Sequence, residues 1–337
     1  MEGQEHRRQR LLVGAVFILV LLGALLVALD WREVKRLVGE ADWKLVPLAL
    51  LFTAISYACL SYGLAAVYRI FGIRMGQRDL LEIGFVSIVL NHLITVSGLA
   101  GLSLRVLLMR QRGLATADIV APSLFHSYFN NLAMFSLLPV GLAHLLVSHP
   151  LSPGKAIGVG VVAGVIALFL LLASVVVFIA SARAAILSVL GRGWGFVAHR
   201  DIQPSLDEFG AALGRGVAVT RARPFVLSLP LGLIVGDWVT SVAALWFCFD
   251  ALGSPLGLGV LLTGFAVGIT VGLLSMVPGG LGVQEASMSG VYALLGVPLH
   301  QAVLAAILFR VTYYFIPFVA SLGFYRRLLK VTGQARA

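Results

Sequence analysis

Apolar residues in this chain come in runs of about 20 or more, the length at which a helix rising 1.5 Å per residue crosses a hydrocarbon layer. Such runs occupy residues 11–29, 45–72, 116–147, 156–180, 223–249 and 300–324, which predicts six full spans. Two further apolar stretches, 80–112 and 256–297, are interrupted near their middles by SGLAG at 97–101 and PGGLG at 278–282. Glycine and proline in mid-run read as a broken helix, so each stretch is expected to form a re-entrant hairpin. The fold class expected is an all-α polytopic membrane protein, a single transmembrane domain over residues 1–337 with eight or so helical segments. The 11–29 run follows HRRQR and lacks a small-residue cleavage site before Asp30; it reads as a retained first span, not a secretion signal.

Composition sharpens this picture. With 59% hydrophobic and 12% charged residues and a mean hydropathy of +0.98, the chain has too little polar surface for a water-soluble globule. The net charge of +10 would point to nucleic acid in a soluble protein. Here the basic residues sit in the short connections between apolar runs, where they mark the cytoplasmic side of a membrane protein, so no nucleic-acid partner is expected. Cys59 and Cys248 each lie inside an apolar run and form no disulfide framework.

The positive charges fix an orientation if both broken stretches enter and leave on one side. The cytoplasm then receives the N-terminus, Arg74, Arg78, Arg105, Arg110 and Arg112, six arginines between 181 and 223, and Arg326, Arg327 and Lys330. The outer side receives Lys155, the 30–44 connection, in which four basic residues and four acids cancel, and no Lys or Arg from 250 to 300. Residues 181–222 become a cytoplasmic loop, with Ser205 and Glu208 spaced as a capping box for one helix, and residues 325–337 a basic cytoplasmic tail. Both termini are cytoplasmic, in a bacterial inner membrane. The order span, broken hairpin, span in 45–147 recurs in 223–324, and the two units begin on opposite sides, so an inverted internal repeat is expected. Gly264, Gly268 and Gly272 recur every fourth residue, a spacing that lets helix backbones approach closely.

Ionisable groups at membrane depth cost about 2.5–3.5 kcal/mol on insertion scales, which makes each a functional candidate. Asp237, Glu285, Arg310 and Arg105 are such groups, with His126, Asn130 and Asn131 on the span that corresponds to the one bearing Arg310. Asn91 and His92 add polarity to the first hairpin, and Tyr313 and Tyr314 read as packing or interfacial aromatics. If the breaks reach mid-bilayer, the charged groups converge in one layer that could accept an anionic headgroup. The candidate substrate-binding residues are therefore Glu285, Arg310, Arg105, Asp237, His126 and Asn130, with Gly279, Gly280 and Gly282 at the second break. The competing reading makes Glu285 and Arg310 a buried pair that pins two helices together, gives Asp237 and His126 hydrogen-bonding roles in packing, and lets Arg105 snorkel to the interface. No catalytic signature, metal site or cofactor motif is present, so no enzymatic activity is expected.

These residues carry a resemblance. Pro278-Gly-Gly-Leu-Gly-Val-Gln-Glu285, Gly296-Val-Pro298 and Ala302 through Arg310 to Tyr314 resemble the signature of the lysylphosphatidylglycerol synthase transmembrane family, also called flippase-like membrane proteins. Gly98-Leu-Ala-Gly101 through Arg105 and Gly113 is similar to its first motif, departing at Leu102, where the family often carries Glu. The resemblance implies a lipid-handling role with Glu285 and Arg310 at motif positions. It implies no synthase activity without the soluble domain of the larger members, and a hopanoid-associated branch of similar size widens the range of cargo. The function expected is a flippase-like lipid translocase with a membrane lipid as substrate. A non-transporting accessory protein for a lipid-modifying pathway, with a lipid-biosynthesis enzyme as partner, and a secondary transporter of a small anion are the alternatives. Lipid identity, energy source and oligomeric state are left open.

Overall fold

The computed structural model describes residues 31–94, 99–148, 153–198, 203–275 and 277–334. The expected first span at 11–29 lies outside the described residues, as do positions 97 and 98 of the first break and the last three residues of the tail. Every described element is helical: α1 (Trp31–Glu40), α2 (Val46–Ile70), α3 (Gln77–Ile94), α4 (Leu99–Arg110), α5 (Thr116–Ser148), α6 (Pro153–Phe178), α7 (Ala180–Ala198), α8 (Gln203–Ala222), α9 (Ser228–Ala251), α10 (Leu258–Leu274), α11 (Val283–Leu294), α12 (Leu299–Arg310) and α13 (Ile316–Gln334).

Three helical stretches are long and apolar enough to cross a membrane: Trp43–Ile70, Pro224–Ala251 and Leu299–Leu329. They coincide with the predicted spans at 45–72, 223–249 and 300–324. A fourth crossing arises only if Ala167–Phe178 and Ala180–Arg192, bent by 99° at their junction, count as one. The described residues thus support three or four crossings where six were expected, with Leu258–Leu274 as a shorter apolar helix. Two connections are more ordered than their composition implied. Residues 181–222 hold both α7 and α8, and the 30–44 connection folds into α1. In α1, Val34 and Leu37 are buried, and Val34 shares a small apolar cluster with Val303 of α12. On the opposite face Arg36 bridges Glu33 and Glu40. The Arg36 guanidinium beside Glu33 holds that carboxyl below its ordinary range.

Both interrupted stretches form helix pairs held by glycine, since association in lipid relies on close packing more than on the hydrophobic effect. Along α10, a Cβ on Gly264 would overlap the Tyr292 ring, one on Gly268 would stand 2.7 Å from Met288 Cβ, and one on Gly272 would stand 2.9 Å from Gln284 Cβ. The partners descend α11 as the glycines ascend α10, so the two helices are antiparallel with the stripe as their seam. In the first stretch the same device joins α3 to α4, where a Cβ on Gly101 would strike the Ser87 carbonyl oxygen. The order long helix, broken pair, long helix therefore occurs twice, and α2 packs along α9 between the two units.

α12 and α13 form one rod joined by a π turn over Val311–Phe315. Pro317 gives the cause: it has no N–H to offer the carbonyl four residues back, that of Tyr313. The orphaned carbonyl accepts instead from the Tyr57 hydroxyl of α2 at 3.0 Å, so a buried backbone group left over by the helix defect is satisfied across the bundle.

Candidate functional site

The second break is built from residues that only glycine suits. Gly279, Gly280 and Gly282 have φ of +61°, +61° and +78°, the left-handed region in which a side chain is strained. The turn they make starts α11 with Glu285 at its third position. From there the carboxylate reaches back and accepts the Gly282 N–H at 2.7 Å, satisfying one of the free donors of the helix start and placing negative charge at its positive end. The other carboxylate oxygen pairs with the Arg310 guanidinium. Arg310 also donates to the Gly279 carbonyl at 2.8 Å and lies over the Tyr314 ring, 4.3 Å from its centroid. Gln284 donates to the Tyr314 hydroxyl at 3.1 Å. One guanidinium thus ties the glycine turn, the start of α11 and the last rod together. The Arg310 and Glu285 side chains are 14% and 10% exposed.

The two broken pairs meet here. A Cβ on Gly279 would run into the carbonyl oxygens of Leu93 and His92 at the end of α3. One residue earlier, the Asn91 side chain accepts the Gly101 N–H at 2.6 Å. The end of α3 therefore contacts both glycine breaks. His92 is surrounded by aromatics, with ring centroids 5.5 Å from Tyr57, 6.1 Å from Tyr313 and 5.8 Å from Tyr314. Its Nδ1 lies 2.9 Å from the Tyr57 hydroxyl. That hydroxyl has a single proton, which goes to the Tyr313 carbonyl, so His92 Nδ1 carries the hydrogen and donates. Tyr57→Phe is expected to lower stability by about 1 kcal/mol, seen as a lower Tm in detergent. An unchanged Tm would show that the Tyr313 carbonyl has found another donor.

Asp237 is held differently. Its carboxylate accepts from Ser56 and is approached by the hydroxyls of Tyr313 at 3.4 Å and Ser241 at 3.5 Å. Those hydroxyls also contact one another, Tyr313 lying 2.6 Å from Ser56 and 2.7 Å from Ser241. Protein hydroxyls surround the group and join α2, α9 and the π turn.

Arg105 lies on α4, and His126 and Asn130 lie one turn apart on α5. Arg105 is buried and does not snorkel to an interface; its Nε donates to the Gly101 carbonyl at 3.3 Å. Among the described residues His126 Nε2 and Asn130 Oδ1 find no hydrogen-bond partner, and Asn131 is exposed. Glu285 and Arg310 thus pair with each other, Asp237 is held by hydroxyls of α2, α9 and the π turn, and Arg105 donates to the Gly101 carbonyl. Sequence reasoning overlooked Ser56, Tyr57, Ser241 and Gln284, all of which contribute to these groups. A polar stripe along α2, Thr53, Ser56, Tyr57 and Ser61 at helical spacing in an otherwise apolar span, is the signal that would have found two of them. It also overlooked Glu82 on α3, buried and paired with Arg78 and with Arg327 of α13. Among the described residues no three His, Cys, Asp or Glu side chains gather as a metal site would require.

Comparison with known proteins places this arrangement. Residues 11–321 match the family described as the lysylphosphatidylglycerol synthase TM region. A UPF0104 membrane protein of Methanothermobacter thermautotrophicus is 32% identical over 105 residues, 31% of this chain and 29% of that relative. A UPF0104 membrane protein of the same organism aligns at 23% identity over 303 residues, 84% of this chain and 86% of the relative. A phosphatidylglycerol lysyltransferase of Staphylococcus aureus is 28% identical over 86 residues, 26% of this chain and 10% of that enzyme. The chain therefore spans under a third of the first relative in its stronger local match and a tenth of the lysyltransferase.

Proposed function

The chain belongs to the lysylphosphatidylglycerol synthase TM region family, and from that membership we propose that it is a flippase-like lipid translocase, carrying a polar or anionic lipid headgroup across the bacterial cytoplasmic membrane. The observation that carries this reading is the Glu285–Arg310 pair, partly accessible and mounted on a glycine turn where the ends of two broken helix pairs meet. A zwitterionic or anionic headgroup offers partners for both charges. Its phosphate can take the guanidinium while an ammonium or hydroxyl takes the carboxylate, and exchanging one ion pair for others avoids leaving a buried charge uncompensated. The acyl chains stay in lipid throughout. The proposal includes an inverted relation between the two units, so that the broken pairs reach the site from opposite faces, and places both termini in the cytoplasm. It contains no bond-making step. The name of the lysyltransferase relative makes phosphatidylglycerol and its derivatives the first cargo to try.

Reconstitution into liposomes carrying lipids with fluorescent headgroups tests this. Leaflet exchange should exceed that of empty vesicles, and Glu285→Gln should cut it at least tenfold while the protein still elutes as a folded particle. Exchange at the empty-vesicle rate across several lipid classes would overturn the proposal.

A further inference from the structure

A single residue, Ile179, separates α6 from α7, and the two helices bend there by 99°. Counted as one crossing, the pair has helix to spare. α6 runs for 26 residues, about 39 Å at 1.5 Å per residue, against a hydrocarbon core of about 30 Å. A helix that leaves the end of such a span at nearly a right angle runs along the membrane surface. Two guanidinium groups hold the bend. Arg183 donates to the Val177 carbonyl at 2.8 Å and Arg221 of α8 donates to the Phe178 carbonyl, so carbonyls that end α6 are satisfied by cations at the negative end of its dipole.

α7 has three sides. Leu187 and Gly191 face α8, where a Cβ on Gly210 would stand 3.0 Å from Leu187 and one on Gly191 would strike Gln203. Ser181, Ser188 and Arg192 make a polar side. Ile186, Val189 and Leu190, three and four residues apart and so on one face, make the third, and they are 40%, 59% and 55% exposed. This open face continues the exposed apolar surface of α6, which includes Leu168, Phe169 and Leu172.

We propose that α7 is an interfacial helix seated in the leaflet where α6 ends, with Ile186, Val189 and Leu190 among the acyl chains and Arg192 and Arg221 against the phosphates of anionic lipids. An apolar face bordered by a polar, basic one is the pattern of a helix lying in the headgroup layer. Both arginines are exposed, and each spends a hydrogen bond on a backbone carbonyl, that of Ser188 or Phe178, so their charge is left for an anionic surface to attract. A leaflet takes the two sides together, hydrocarbon under one and phosphate beside the other.

The test reads depth. In the full chain carrying Cys59→Ala and Cys248→Ala, a spin label is attached in turn to Ile186→Cys, Leu190→Cys, Ser181→Cys and Ser188→Cys, in nanodiscs of phosphatidylcholine alone or mixed with phosphatidylglycerol. Collisions with oxygen, which concentrates in hydrocarbon, are compared with those of a water-soluble nickel chelate. The oxygen-to-nickel ratio should be at least fivefold higher at Ile186→Cys and Leu190→Cys than at the two serine positions. Phosphatidylglycerol should raise it at least twofold at Leu190→Cys, and adding Arg192→Gln with Arg221→Gln should abolish that rise. If this double variant does not fold, Arg192→Gln, whose hydrogen bond stays within α7, decides by at least halving the rise. Equal ratios at all four positions, exclusion of both agents from 186 and 190 as a covering protein would cause, or readings indifferent to phosphatidylglycerol overturn the proposal. Because no lipid movement is measured, a chain with α7 seated in this way that does not transport refutes the translocase reading and leaves this one standing.

Discussion

Arg310→Ala is expected to destabilise the protein by about 3 kcal/mol, the low end for breaking a buried ion pair, and combining it with Glu285→Gln is expected to restore most of that loss. Removing the guanidinium leaves the Glu285 carboxylate with the Gly282 N–H as its remaining partner and takes the donor from the Gly279 carbonyl. Neutralising Glu285 relieves the first defect and not the second, so recovery should be large but incomplete. The low end is chosen because side chains in a membrane-embedded unfolded state also find partners. Thermal melting of the two single variants and the double variant forms the cycle. Losses that simply add would mean that the two side chains are stabilised independently, and the pair would lose its place as the centre of the site. Transport separates function from stability: the double variant should be folded and inactive.

The second large effect is expected at Gly101. An added Cβ would strike the Ser87 carbonyl and stand 2.6 Å from the Asn91 amide. The first of these is backbone, which cannot swing aside as a flexible side chain does. Gly101→Ala should therefore force α4 away from α3 and cost about 1–3 kcal/mol or more, the usual range for overpacking, with loss of the Asn91 contact to the Gly101 N–H. Gly232 on α9 and Gly290 on α11 have open space where a Cβ would go. Alanine at either should be neutral or stabilising by up to about 1 kcal/mol through helix propensity. Melting curves that rank the three substitutions alike would show that the α3–α4 contact has room for a methyl group.

The long helices and both interruptions were legible because they depend on local signals. Apolar run length marks 45–72, 223–249 and 300–324 to within a few residues, since nothing else in the chain competes with burial in lipid there. Glycine with proline marks the second break, since positive φ at Gly279, Gly280 and Gly282 excludes other residues. The Gly264–Gly268–Gly272 stripe was legible as a packing face for a different reason: four-residue spacing puts the three on one side of a helix, where a partner can approach closely. Partners were less so. Ser56 and Asp237 lie 181 positions apart, and no local pattern says that a serine in one apolar run caps the aspartate in another. The charges can be read off the chain but not their company: Glu285 and Arg310 form a salt-linked pair, Asp237 is bound by hydroxyls, and Arg105 donates to a backbone carbonyl. α1 was hidden for a different reason: with its charges cancelling and a narrow buried face that includes Val34 and Leu37, it looked like a neutral loop. The π turn had a visible cause in Pro317, but its effect on the Tyr313 carbonyl depends on Tyr57, a residue of another helix.

The interlocked seam between α10 and α11 constrains how the site can work. With Tyr292, Met288 and Gln284 seated in the notches of Gly264, Gly268 and Gly272, the two helices cannot slide or roll against each other without collision, and they must travel as one stiff lever. Any stroke that parts Glu285 from Arg310 has to be taken up where this pair joins the rest of the chain, at the connection around Gly253 before α10 and at the Gly296-Val-Pro298 corner after α11.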